Sequence, residues 1–189
     1  RLARGFALVD LAIVLAVLAL AFAVLIPVLG YQGCRNRQLK DSGQVRAIHQ
    51  ALIQSCQNGS DDYPLPSRLD RHNSTVAEEG AAKNTTANIY SWLIARGLVS
   101  PDVFVSPLET NPNIRACDAY EYEHPSTAVD PSSALWDPLF SVALDGTHPG
   151  NASYAHAQPC GERRRAWSNT FTAAEPAFGT RGPEIASVK

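Results

Sequence analysis

The chain has 189 residues, of which 45% are hydrophobic and only 18% charged, and its net charge is −2. That length suits one domain with an appendage, and the absence of a basic excess argues against a dedicated nucleic-acid binder. The averages hide a partition. Residues 1–34 are net +1 (Arg1 and Arg4 against Asp10), and residues 35–56 are net +3 (Arg35, Arg37, Lys40 and Arg46 against Asp41). Residues 57–189 hold ten basic and sixteen acidic side chains, net −6, together with twelve of the thirteen prolines. The pattern reads as an apolar stalk, a basic neck and an acidic, proline-rich head. The chain contains no Met and begins with Arg, which predicts that its natural start is missing.

From Leu11 to Leu29 every residue is apolar. As a helix this run is roughly 28 Å long at about 1.5 Å per residue, the length needed to cross the hydrocarbon core of a bilayer. The expectation is therefore that the unprocessed chain is not a purely soluble globular protein. A secretory signal has a shorter apolar region ending at a small-x-small site, and Pro27-Val28-Leu29-Gly30 offers no convincing one. A uniformly apolar core helix needs more protein around it than the remaining residues supply. Pro27 removes a backbone donor, which predicts a kink near Ala23–Pro27.

Beyond Gly30 the pattern becomes amphipathic. Leu39, Val45, Ile48, Leu52 and Cys56 share one helical face, while Arg37, Lys40, Asp41, Arg46 and Gln50 are polar. One long helix from about Phe6 to Ser55 is predicted, ended by Asn58-Gly59. In the head, Asn84 can cap a short helix over Thr85–Arg96, closed by Gly97. Short strands are predicted at Val103–Val105, Ala119–Glu123, Leu139–Leu144, Ser153–His156 and Ala166–Phe171, separated by Pro, Gly and Asn. A long helix followed by a few antiparallel strands and long loops is an α+β arrangement.

Cys34 and Cys56 lie along one predicted helix about 33 Å apart and cannot pair. If the head lies outside the cytoplasm, one bridge is expected among Cys56, Cys117 and Cys160, with Cys117–Cys160 preferred. No cysteine or histidine spacing fits a structural zinc site, so no metal ligand is assigned. His124, His148 and His156 with Asp118, Asp130 and Asp145 match no motif with catalytic mechanics, and no nucleophile elbow or phosphate loop is present. The chain is read as a non-enzyme with no catalytic residue. Arg163-Arg164-Arg165, near Trp167, is the only basic cluster of the head. It fits a strand edge guarded by charge better than a surface for single-stranded DNA.

The segment Arg4-Gly5-Phe6-Ala7-Leu8-Val9-Asp10-Leu11 resembles the processing site of type IV pilins and type II secretion pseudopilins. In that family a prepilin peptidase cuts after the glycine and N-methylates the new terminal phenylalanine. The resemblance implies processing at Gly5 and Phe6 and assembly roles for Asp10, the fifth residue after the cut, and Pro27. It departs from the family in having aspartate at Asp10, where glutamate is usual, and Ala19, where glycine is frequent. It implies a pilin-like lollipop, with a membrane-embedded half helix and an amphipathic half packed on a small antiparallel sheet. The expected divisions are 1–5 leader remnant, 6–30 membrane and assembly helix, 31–57 amphipathic half and 58–189 extracytoplasmic head.

The implied function is a structural subunit of a pilus-like filament, foremost a type II secretion pseudopilin. The alternatives are a minor pilin for DNA uptake or adhesion, or a membrane-anchored envelope binding protein or enzyme. The implied placement is a single pass of the inner membrane with a cytoplasmic N-terminus and a periplasmic head. The implied partners are the prepilin peptidase, other pilin-like subunits, the inner-membrane assembly platform and secreted cargo, with no nucleic acid. No cofactor is expected. Some pilin-like heads bind calcium, but no acidic run here fixes its ligands.

Overall fold

The computed structural model describes residues 8–56, 61–143, 149–159, 161–169 and 177–180. The dominant element is helix α1, Leu8–Cys56. It continues through Pro27, the position at which the sequence predicts a kink. The chain divides into two compact units, Arg1–Lys40 and Asp41–Lys189.

Two expectations are corrected here. Among the described residues no helix is long and apolar enough to cross a membrane. From Arg35 onward α1 carries charged residues. The single-pass inner-membrane placement, with its cytoplasmic N-terminus and periplasmic head, is therefore not supported. Nor is the α+β pilin-like lollipop with a membrane-embedded half helix. The described fold is helix-rich, with one two-stranded antiparallel sheet.

Within the C-terminal unit, the last turns of α1 bury Gln44, Ile48, Ala51, Leu52 and Cys56, positions three and four apart on one face. Leu39, assigned by pattern to the same stripe, is 64% exposed. Against this face pack Tyr63, Leu65, Ile89, Tyr90, Leu93, Ile94, Phe104, Phe140, Tyr154 and Trp167. Aromatic rings carry much of the core: Tyr90 stacks on Phe104 at 4.4 Å, and Phe104 meets Phe140 edge to face at 5.6 Å.

Helix α2 is one turn, Pro66–Leu69, and helix α3 spans Thr86–Ala95. Its N-cap is Thr85, whose hydroxyl accepts from the Asn88 amide at 3.2 Å. Asn84, the cap expected from sequence, instead accepts from the Ser67 amide at 3.0 Å. At the other end Gly97 adopts φ 67°, and the Leu98 amide reaches back to Leu93 O while the Gly97 amide bonds Ile94 O. This closure requires a left-handed residue, which glycine supplies without a Cβ penalty.

Little of the expected sheet forms. Strand β1, Tyr154–His156, pairs antiparallel with strand β2, Phe178–Thr180, in the register Tyr154↔Thr180. Val103 instead lies in a 3-10 turn, Pro101–Phe104, and Ala166 ends another, Gly161–Ala166. Residues 119–123 and 139–143 are turns and irregular chain. Pro101 opens the first of these turns and Pro138 immediately precedes residues 139–143, and proline cannot donate to a ladder.

The loops are held instead by buried polar groups. Asp70 and Lys83, both essentially inaccessible, form an ion pair at 2.9 Å. Lys83 also donates to the Asp70 carbonyl. Asp70 accepts from the amides of Ser74 (2.8 Å), Thr75 (3.2 Å) and Val76 (3.4 Å). Burial pushes the Asp70 carboxyl up, but hydrogen bonds from Lys83, Ser74 and Val76 outweigh it and hold the group below its ordinary range. Removing one partner strands the other charge, so Lys83→Met should cost about 3–5 kcal/mol. Urea unfolding followed by tryptophan fluorescence checks this. The double variant Asp70→Leu/Lys83→Met should recover only part of the loss, because the three amides would remain uncapped.

Candidate functional site

In the N-terminal unit the described side chains of residues 11–26 are all exposed. Leu11 (50%), Val17 (63%), Leu20 (69%), Phe22 (57%) and Ile26 (68%) are typical of the large apolar ones. Successive helical side chains project about 100° apart, so this surface is apolar on every side. Gly5 and Phe6 lie outside the described residues. Asp10 and Pro27 both lie within α1.

In the C-terminal unit the segment 118–130 carries Asp118, Glu121, Glu123 and Asp130 without a Lys or Arg. It also exposes two large apolar side chains, Tyr122 (59%) and Val129 (60%). A buried carboxylate, Asp137, organises this loop from below. It is 0% exposed and accepts from the Glu121 amide (2.9 Å), the Thr127 hydroxyl (3.1 Å) and the Leu139 amide (2.8 Å). The Asp137 carbonyl accepts from Ser91, and Tyr120 donates to the Ser91 carbonyl at 2.6 Å, joining the loop to α3. Burial pushes the Tyr120 phenol up to about 12, so it remains a donor across the ordinary pH range. Tyr122 packs on the Tyr120 ring at 4.9 Å.

Two of these acidic groups, Glu121 and Asp130, are held ionised. The Ser126 amide keeps Glu121 below its usual carboxylate range. Hydrogen bonds from the Ser132 and Ser133 side chains and the Ser132 amide do the same for Asp130. Sequence reasoning missed Asp137. The signal available was Asp137-Pro138 followed by Leu139, whose amide the carboxylate caps in an Asx turn.

Beside the loop lies a cleft of about 550 Å³ lined by residues including Arg115, Cys117, Thr127, Leu139, Ser141 and Asn151. Cys117, expected to pair with Cys160, is a buried free thiol, and Cys160 lies outside the described residues. Burial raises the Cys117 thiol pKa, which disfavours the nucleophilic thiolate. Thr127 and Asn151 spend their polar groups on Asp137, the Ser141 amide and the Arg115 carbonyl. Among the described residues no group of three His, Cys, Asp or Glu side chains could hold a metal ion. His124, Asp118 and Asp130, which match no catalytic motif in the sequence, are exposed loop residues, and His148 and Asp145 lie outside the described residues.

His156 occupies a seam of its own. Thr86 Oγ1, in the first turn of α3, lies 2.7 Å from its Nδ1, and Trp167 meets the ring edge to face at 5.1 Å. Its Nε2 is buried without a hydrogen-bond partner. Burial lowers its pKa to about 4.

No family model matches the chain, and neither a curated protein nor a solved structure matches it.

The His156 seam sets a pH dependence. The ordinary value is 6.5 and the folded value about 4, so the unfolded chain binds the proton more readily. The stability that neutral His156 contributes is present above about pH 6.5 and is lost as pH falls toward 4, by about 3 kcal/mol. Wild type should therefore lose about that much more stability than His156→Gln between pH 7 and pH 4, read from urea midpoints. Parallel pH profiles for the two proteins would show that the ring is not buried neutral.

Proposed function

We propose that the chain is a structural subunit of a pilus-like filament, of the type II secretion pseudopilin kind, that assembles through α1. The observation that carries this reading is the apolar surface of residues 11–26, exposed on all sides. Apolar surface of this extent does not stay in water, and a helix without a polar face must be surrounded by partners. Stems of other copies meet that requirement. Covering the exposed large side chains at roughly 1 kcal/mol each is comparable with the association cost of about 4–15 kcal/mol. Further subunits contribute more contacts per copy.

The order Arg4-Gly5-Phe6 before this surface supports prior processing by a prepilin peptidase. The amine freed on Phe6 of one copy is then a partner for Asp10 of another. In a low-dielectric bundle such a pair sets axial register more than it adds stability. The work of the assembled subunits is mechanical, with secreted cargo meeting the C-terminal units.

Intact-mass analysis of the native protein should find a chain beginning at Phe6 with one added methyl group, and Gly5→Val should abolish the cut. Leu20→Glu, which puts a charge among exposed apolar side chains, should reduce the sheared-filament fraction at least tenfold without altering the melting of the C-terminal unit. Asp10→Ala should be cut normally yet enter filaments poorly. An uncut chain in cells with an active peptidase, or normal assembly of Leu20→Glu, overturns the proposal.

A further inference from the structure

The loop 118–130 has a complement elsewhere on the same unit. Arg163, Arg164 and Arg165 stand consecutively in the 3-10 turn Gly161–Ala166, and all three are exposed. Among the described residues the ion pairs are Arg68–Asp62 and Lys83–Asp70, so the three arginines and the four acidic groups of 118–130 do not meet within one chain. Residues 57–189 are net −6, and two such units repel unless a local patch of opposite sign is presented. The arginine turn is the basic cluster able to do so.

We infer that the arginine turn of one copy docks on the 118–130 loop of the next. The occupant of the acidic surface is thus a second copy of this chain. The inference rests on the filament reading and names the contact made between neighbouring C-terminal units. The chemistry matches on three counts. Guanidinium forks suit carboxylates, and Asp118 and Glu123 make no described hydrogen bond that would compete. Exposed Tyr122 offers a ring face for a cation, and its packing on Tyr120 holds it in place. The loop is preorganised by Asp137, so docking orders little chain.

The two patches are different surfaces, so the contact is heterologous. Repetition of a heterologous contact generates a ring or an open helical filament, rather than stopping at a two-fold dimer. Exposed ion pairs are individually weak and screened by salt. The contact therefore orients neighbouring units and makes their association salt-sensitive, while the apolar surface of α1 holds the assembly.

The test uses the purified full chain with benzoylphenylalanine at Tyr122, and separately at Val129 in case the first position perturbs the loop. Copies labelled with ¹⁴N and ¹⁵N are mixed before irradiation. Mixed-isotope crosslinks from the loop to the peptide carrying Arg163–Arg165 are expected, falling at least tenfold in 0.5 M salt or in the variant R163E/R164E/R165E. Asp118→Arg with Glu123→Arg in the partner copy should restore that variant to within about twofold. Crosslinks only within one chain, or to another surface, or a yield indifferent to the reversal, overturn the inference. Filaments are scored separately by shearing, so normal filaments without this crosslink reject the contact alone. Loss of filaments in the Leu20→Glu chain with the crosslink intact separates the two surfaces.

Discussion

The buried carboxylate of Asp137 shows what holds the C-terminal unit together. Its residues include twelve prolines and form one described sheet of two three-residue strands, so most backbone amides have no ladder to join. A buried amide without an acceptor costs on the order of 1–3 kcal/mol. Asp137 supplies acceptors for the Glu121 and Leu139 amides and the Thr127 hydroxyl from one inaccessible position. Asp70 does the same for the Ser74, Thr75 and Val76 amides, with Lys83 balancing its charge. Side chains here perform the task that strands perform in a sheet protein.

A second polar cluster explains how the end of α1 is fixed within this unit. Tyr154 donates to Asp41 at 2.7 Å and to Gln44 Oε1 at 3.2 Å, and Gln44 Nε2 donates to the carbonyls of Val105 and Asp102. Ser106 also donates to Asp41. Burial and the Asp41 carboxylate both push the Tyr154 phenol above its ordinary range, so it remains a donor to that carboxylate. One helix turn is thereby joined to β1 and to the Pro101–Phe104 turn through directional bonds. Ile48 and Leu52 continue the same face into the aromatic core.

The unit thus combines a rigid interior with loops whose outer surfaces are free to carry function. The acidic loop is exposed but not loosely held, because its amides are anchored to a buried group. Rigid loops of this kind lose little entropy on docking. The apolar surface of α1 differs: in the proposed assembly its contribution is non-directional and grows with the area covered. In the proposed assembly, register and orientation come from charged groups at defined positions, namely Asp10 on the helix and the arginine turn and acidic loop on the C-terminal unit.

The sequence by itself determined the elements whose signal is local. Long apolar and amphipathic periodicity placed a helix from about Phe6 to Ser55, and α1 runs Leu8–Cys56. The short helix before Gly97 was legible from its periodicity and its glycine, although its cap is Thr85 rather than Asn84. Only the tertiary structure decided which alternating segments became strands. Tyr154–His156 found a partner in Phe178–Thr180, a segment without a strand pattern, whereas Val103–Val105 found none and turned. Strand formation depends on a distant neighbour and on the donors that proline removes, and neither is written in the segment itself. The membrane placement is not supported either: among the described residues no helix is long and apolar enough to cross a membrane. The roles of Asp137 and His156 were likewise hidden, because burial, which gives each its chemistry, is a property of the packed chain and not of the residue.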